Sequence, residues 1–186
     1  LRAALGDRAR SVHRDALHAA GRRILLQHEA AEVHRRERAR AGRRLRAEVG
    51  PACVSVRPDQ VADPQRAPYP QIVDTLEGVG PAAGILAALA WLPGHAWLVV
   101  AVDLPLLDAD TLARLVAARE PARLATAYLS ASDGLPEPLC AIWEPASRAP
   151  LAAAIAAGRS CPRKFLIGSD AATLVLGSRD ALVNVN

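Results

Sequence analysis

The sequence predicts an α/β fold in which helices cover a mostly parallel sheet. From about residue 50 onward, short runs typical of strands alternate with Ala- and Leu-rich stretches typical of helices, and this alternation favours a layered architecture. One run, 96–102, is apolar throughout, as in a strand that is buried on both faces. The 186 residues are 51% hydrophobic and 23% charged, which excludes a disordered or collagen-like chain.

The first predicted elements frame a glycine-rich turn. Residues 52–57 alternate in polarity and include β-branched side chains, and 71–74 is a shorter apolar run that ends in an acid; both patterns are typical of strands. The turn at 78–84 opens a helix that runs to about Trp91. Pro81 suits the first turn of this helix, because a backbone N–H has no helical partner there.

The elements after the buried strand follow the same alternation. A helix is predicted at 111–119, where Asp108 or Asp110 can cap it, and another at 147–157, which Gly158 ends. The remaining predicted elements are a short helix at 163–167 and strands at 124–130, 137–143, 173–176 and 182–185.

The first 48 residues differ from the rest in charge. They carry 13 Arg and 6 acids, a net charge of +7, whereas 49–186 has a net charge of −3. No run before residue 49 is predicted to be a strand, and 30–48 could form a polar helix. The sequence therefore predicts an Arg-rich segment at 1–48 and a folded domain at 49–186.

Several classes of protein are excluded by simple patterns. No apolar run reaches the ~20 residues that a membrane span needs, and the Arg-rich start lacks the apolar stretch of a signal peptide. The three cysteines are far apart and form no CxxC pair, which disfavours a disulfide scaffold or zinc ribbon and fits a reducing cytoplasm. The excess of arginine suggests an anionic partner only for 1–48, where no aromatic residue offers a platform for base stacking.

Acids follow two of the predicted strands. Asp103 comes directly after the buried strand and Asp74 ends the run at 71–74. Ligands of α/β sheets bind outside the carboxyl ends of the strands, where an acid suits a Mg²⁺ ion that also contacts phosphate. The alternatives are that Asp103 caps the next turn and that the glycines at 78–84 form a plain tight turn.

Polar residues near the end of the chain are further candidates. Asn184 and Asn186 would face the same side of an extended segment, where they could bind phosphate or complete a metal shell through water; the alternative is a frayed polar tail. Lys164, the only lysine, could neutralise phosphate, but a solvated charge is the favoured explanation.

These motifs together resemble the molybdenum cofactor guanylyltransferases, which are MobA-like proteins of the nucleotidyltransferase superfamily. Their order and spacing fit this family from about residue 50 to the end. The matching stretches are Ile-Val-Asp at 72–74, Gly-Pro-Ala-Ala-Gly-Ile at 80–85, Val-Asp-Leu-Pro-Leu at 102–106, Pro-Leu at 138–139 and Val-Asn-Val-Asn at 183–186. The resemblance implies a Rossmann-like three-layer sandwich of the nucleotidyltransferase type. It also implies Mg²⁺-dependent transfer of GMP from GTP to a molybdopterin-type cofactor, with release of pyrophosphate, and contact with other proteins of cofactor assembly.

The resemblance also assigns roles to individual residues. Asp103 matches the Mg²⁺ ligand of the family, and Asp74 matches an acid that helps to hold GTP. Other matched or neighbouring positions are Gly80 and Pro81 in the glycine loop, the amide pair Asn184 and Asn186, and Arg57, which stands where the family often has an asparagine.

One family motif is not recognisable. The family opens with a strand and a loop, Leu-x-Gly-Gly-x-Ser-x-Arg-Met-Gly-x-Asp-Lys, that grips the triphosphate, and no such stretch occurs in 1–48. The segment is then either an out-of-frame reading of the family's first residues or a divergent arm with its own partner. Functional alternatives are a nucleotidyltransferase that uses CTP or a sugar phosphate, an inactive family member that supports a partner enzyme, and an anion- or nucleic-acid-binding protein.

Overall fold

The computed structural model describes residues 23–27, 52–64, 66–67, 69–177 and 181–183. Within these residues the chain forms a seven-stranded sheet flanked by helices. The strands are β1 (Arg23–Gln27), β2 (Ala52–Val56), β3 (Gln71–Val73), β4 (Trp97–Ala101), β5 (Ala125–Leu129), β6 (Pro136–Trp143) and β7 (Ala171–Val175). The α-helices are α1 (Pro81–Trp91), α2 (Ala109–Ala117), α3 (Arg148–Ala156) and α4 (Pro162–Ile167), and 3-10 turns lie at Pro58–Gln60 and Pro145–Ser147.

The sheet is mostly parallel. Its strands lie in the order β3-β2-β1-β4-β6-β5-β7, and β6 runs antiparallel to both of its neighbours. The other neighbouring strands pair in parallel. This arrangement confirms the α/β fold with a mostly parallel sheet.

The prediction that no strand precedes residue 49 is wrong. β1 lies in the interior of the sheet, where Leu25 pairs with Cys53 of β2 on one side and with Val99 of β4 on the other. Its apolar run is only Ile-Leu-Leu, and the surrounding arginines hide it in any average over the segment. The Arg-rich segment therefore contributes a central strand to the sheet.

Two hydrophobic clusters make the molecule three layers thick. On one face of the sheet, α1, α3 and α4 pack over a cluster that includes Trp97 and Trp143, both fully buried. On the other face, α2 packs through Leu112 and Leu115 over alternate residues of the same strands. Each face of the central strands meets a helix, which explains why β4 is apolar at every position. This confirms the predicted three-layer sandwich.

The boundaries of the elements shift by a few residues for local reasons. α2 begins at Ala109, because the carboxylate of Asp108 accepts a hydrogen bond from the Thr111 N–H at 2.8 Å and caps the helix. Asp110 instead forms an ion pair with Arg114 one turn along α2, at 2.7 Å. A strand at 182–185 is not found in the part that is described, since 182–183 lies outside any strand. The polar helix predicted at 30–48 lies outside the described residues.

None of the helices in the described part of the chain combines the length and the apolar character that a bilayer crossing would require.

Candidate active site

Strand register places three polar residues at the same level of one sheet edge. An aligned row crosses the first four strands of the sheet through Gln71, Val54, Leu26 and Val100. Three residues beyond this row, β3 leads to Asp74, β2 leads to Arg57 and β4 leads to Asp103. The structure therefore brings Asp74, Arg57 and Asp103 to the carboxyl edge of the parallel strands, where α/β proteins bind their ligands.

The spacing of the strands separates this edge into two parts. Asp74 and Arg57 follow neighbouring strands, whereas Asp103 follows β4, which is three strand positions away from β3. Neighbouring strands lie about 4.8 Å apart, so Asp74 and Asp103 are separated by about 14 Å. An extended ligand is needed to contact both acids at once.

A pocket occupies the part of the edge that Asp74 and Arg57 share. Its lining includes Arg57, Asp74, Glu77, Gly78, Gly80 and Pro81. Its cavity volume is about 90 Å³, which is smaller than a typical small-molecule site, so a nucleoside-sized ligand would extend beyond it. Four of the predicted site residues thus meet in one pocket, and Asp103 lies outside its lining.

The turn that enters α1 depends on glycine at two positions. Gly78 has a φ of 69° and Gly80 has a φ of 67°, a conformation that residues with a Cβ atom rarely adopt. Pro81 is the first residue of α1, and Gly80 is its N-cap without any capping side chain. The start of this eleven-residue helix therefore lines the pocket, and its partial positive charge suits polar or anionic ligand atoms.

Hydrogen bonds fix the backbone on either side of the pocket. The Asp74 N–H donates to the carbonyl oxygen of Val56 at 2.9 Å, which extends the pairing of β2 and β3 by one residue. The Arg57 N–H donates to the side-chain oxygen of Gln60 at 3.0 Å. Arg57 also forms an exposed ion pair with Asp59, in which Nε and Oδ1 are 3.3 Å apart.

Two further residues, Gln60 and Glu77, line the pocket, although no signal in the sequence singled them out.

The surroundings of Asp74 in the pocket favour its protonated form more than water favours the protonated form of an exposed aspartate. Partial burial raises the pKa of Asp74 above its usual value, and the nearby Arg57 charge offsets only part of this effect. Asp59 adds a further upward contribution to the pKa of Asp74. As the pH falls, Asp74 therefore loses its charge earlier than an exposed aspartate does.

This shift predicts the pH dependence of ligand binding at the pocket. If ionised Asp74 accepts hydrogen bonds from a nucleoside, affinity should decline as the pH falls through the raised pKa of Asp74, above the usual aspartate range. Titration calorimetry with a nucleotide between pH 4 and 8 would measure the decline. D74N should bind the nucleotide more weakly, and its affinity should no longer decline at low pH. D59N should still show the decline, but at a slightly lower pH. If the affinity of D74N declined at low pH as it does in the unmodified chain, Asp74 would not contact the ligand.

Asp103 offers one oxygen ligand of the kind that magnesium binds. Mg²⁺ prefers oxygen ligands and usually takes one or two carboxylates, with water and phosphate in its other positions. Within the residues that the structure covers, no three His, Cys, Asp or Glu side chains are grouped to form an all-protein metal site. Asp103, half-buried at the end of β4, could supply one carboxylate to an ion whose other ligands come from the substrate. Asn184 and Asn186 lie outside the described residues.

The two cations of α4 lie in different surroundings. Arg163 forms ion pairs with Asp133, at 3.0 Å, and with Glu137, at 2.6 Å, and so fastens α4 to the β5–β6 hairpin. Lys164 instead lines a second pocket, beside residues that directly precede β5 and β7. The structure therefore places Lys164 at the amino ends of the parallel strands, at the edge opposite Asp74 and Asp103.

Comparison with known proteins identifies the family. Residues 34–172 match the family model described as the MobA-like NTP transferase domain. The chain belongs to the MobA-like NTP transferase family. The match begins inside the Arg-rich segment, and the boundary at 48–49 stays a prediction.

Relatives and solved structures agree with this MobA-like assignment. Over 133 residues the chain is 33% identical to a molybdenum cofactor biosynthesis bifunctional protein of Synechocystis, covering 72% of this chain and 38% of that protein. It is 35% identical over 116 residues to a molybdenum cofactor guanylyltransferase of Rhodopseudomonas palustris, covering 55% of each. The chain thus spans about half the length of the second relative and less than half the length of the first. The crystal structure of molybdopterin-guanine dinucleotide biosynthesis protein A from Archaeoglobus fulgidus has the same fold, with a TM-score of 0.61, 20% identity and coverage of 82% and 83% of the two chains.

Proposed function

We propose that this MobA-like nucleotidyltransferase transfers GMP from GTP to a molybdopterin-type cofactor and releases pyrophosphate. The observation that carries the proposal is the common level of Asp74, Arg57 and Asp103 along one sheet edge. A nucleoside triphosphate is an extended ligand, with a polar nucleoside at one end and phosphates at the other. The names of the relatives support guanosine as the nucleoside and the molybdenum cofactor as the acceptor.

The pocket beside α1 is the proposed nucleoside site. Asp74 accepts hydrogen bonds from the nucleoside, and the backbone at Gly80 and Pro81 lies beside it at the start of α1. Arg57 lies at the rim, where its guanidinium can contact ribose or phosphate oxygens. These residues hold the nucleotide and contribute mainly by positioning it.

Asp103 is the proposed magnesium ligand. Bound there, Mg²⁺ would neutralise charge on the phosphates as the transition state forms. The acceptor's phosphate oxygen forms a new bond to the α-phosphorus of GTP, and the bond from that phosphorus to the bridging oxygen breaks. The electron pair of the broken bond leaves with pyrophosphate. We also expect Asn184 and Asn186 to contact the metal or phosphates.

A nucleotide-binding experiment tests this proposal. The full chain is titrated with GTP, CTP and ATP, each with and without Mg²⁺, and release of pyrophosphate is then measured with the molybdopterin-type acceptor. Tight Mg²⁺-dependent GTP binding with acceptor-dependent pyrophosphate release is the expected result. Preference for CTP would instead indicate another nucleotidyltransferase. Binding without release would indicate an inactive family member that supports a partner enzyme.

Partners and location extend the same proposal. We expect the chain to contact other proteins of molybdenum-cofactor assembly, which would receive its product, and to work in the cytoplasm, since all three cysteines are free thiols. Co-purification from cell fractions checks both expectations. Recovery in an oxidising compartment, or with nucleic acid as its stable companion, would contradict them.

A further inference from the structure

A second pocket lies at the edge of the sheet opposite the proposed nucleotide site. Leu124 and Asp170 directly precede β5 and β7, and the Leu124 N–H donates to the Asp170 carbonyl at 2.9 Å. Around this point the end of α3, the start of α4 and the strand beginnings enclose the amino-end pocket. Its lining includes Leu124, Pro150, Ala154, Arg159, Lys164 and Phe165, and its cavity volume is about 760 Å³.

The inner wall of the amino-end pocket is apolar and well supported. Ala154 is 5% exposed on α3. The ring of Phe165 stacks on the fully buried Trp143, with 5.9 Å between ring centroids and an angle of 24°. Because these groups are fixed by the core, the wall can accept an apolar or aromatic body without rearrangement.

The rim of the amino-end pocket carries two cations that lack a carboxylate partner within the described chain. Nearly all the other described arginines do have one; they are Arg57, Arg66, Arg114, Arg119, Arg123 and Arg163. From residue 52 onward, the described cations left over are Arg148, Arg159 and Lys164, and the last two line this pocket. Their charge is thus not used within the described fold.

One feature keeps the rim positive, and another fixes the position of Arg159. The carboxylate of Asp170, which also lines the pocket, forms an ion pair with Arg123 and so has its charge balanced already. The backbone N–H of Arg159 donates to the carbonyl of Ala154 at 2.9 Å, just after Gly158 turns the chain with a φ of 74°. This helix end fixes where Arg159 leaves α3.

We propose that the amino-end pocket binds a small organic anion, in which an apolar or aromatic body carries a phosphate, sulfonate or carboxylate group. The body lies against Ala154 and Phe165, and the anionic group contacts Arg159 and Lys164. Because this pocket is at the opposite edge from Asp74 and Asp103, it does not depend on the proposed transferase activity.

Fluorescence titration with anilinonaphthalene sulfonate tests the proposal, since this probe joins aromatic rings to an anionic group. The full chain should show one saturable site. R159A and K164A should each weaken binding about tenfold, the loss expected for one charge-assisted hydrogen bond. R148A is the matched control, because Arg148 is also exposed and unpaired among the described residues but lies outside the pocket; its affinity should be unchanged. D103N should also bind the probe normally.

Competition then defines the ligand class. Phenyl phosphate should displace the probe, and inorganic phosphate should need a much higher concentration because it has no apolar body. Equal potency of the two would overturn the organic part of the proposal. Probe binding that does not saturate, or that R159A and K164A leave unchanged, would reflect adsorption to apolar surface and overturn the site itself. Both cations are exposed, so thermal unfolding of the variants should match that of the unmodified chain.

Discussion

Replacing Asp103 with asparagine should lower the rate of Mg²⁺-dependent nucleotidyl transfer by about 1000-fold or more, since losing a metal ligand removes several kcal/mol of transition-state stabilisation. The amide keeps the shape of the side chain but removes the charge that attracts the ion. Asp103 lies at a strand end and outside both core clusters, so the free energy of unfolding should change by less than about 1 kcal/mol. Pyrophosphate release and chemical denaturation measure the two quantities.

A nearby aspartate provides the control for this variant. Asp110 lies on the first turn of α2, and its ion pair with Arg114 is exposed on both sides, so D110N should keep its activity. Binding gives a second readout: D103N should bind GTP equally well with and without Mg²⁺, whereas the unmodified chain should bind better with it. Transfer within a few-fold of normal in D103N would show that Asp103 does not hold the metal.

Replacing Arg119 with methionine should produce the largest loss of stability. Glu144 is 2% exposed, and its two carboxylate oxygens accept hydrogen bonds from Nε and Nη2 of Arg119 at 2.6 and 2.8 Å. Hydrogen bonding to Glu144 raises the pKa of Arg119 above its usual value, so the guanidinium stays charged. R119M leaves a buried carboxylate without its cation. Because Arg119 is partly exposed, we expect a loss of about 2–3 kcal/mol, below the range for fully buried pairs.

Thermal unfolding checks this prediction, with an expected fall in Tm of about 5–10 °C for a chain of this size. The double variant R119M/E144M should recover most of the loss, because it removes the buried charge together with its partner. R114M is the matched control, since it breaks an exposed pair and should cost less than about 1 kcal/mol. An R119M protein as stable as R114M would mean that the Glu144 carboxylate is solvated without Arg119.

Most of the elements after residue 50 could be predicted because their signals are local. The apolar run of β4 and the proline and glycine that open α1 specify those elements without reference to the rest of the chain. The position of β1 could not be predicted in this way. Its three apolar residues form a strand through pairing with β2 and β4, and those partners lie 28 and 74 positions further along the chain.

The candidate site shows the same division between local and long-range information. Asp74 and Asp103 could be singled out because each follows an apolar strand. Their common level along the sheet edge could not be predicted, since it depends on the register of β1 with both of its neighbouring strands. Gln60 and Glu77 line the pocket from the turns that follow β2 and β3, where polar residues are ordinary and carry no distinguishing pattern.

β1 is also the hydrogen-bonded connection between two blocks of the sheet. On one side it holds β2 and β3, which carry Arg57 and Asp74, and on the other it holds β4, which carries Asp103. A shortened chain that begins at residue 49 would lose this connection, although it would contain every acid named here. Such a chain would keep both ends of the proposed binding groove without the element that sets the distance between them.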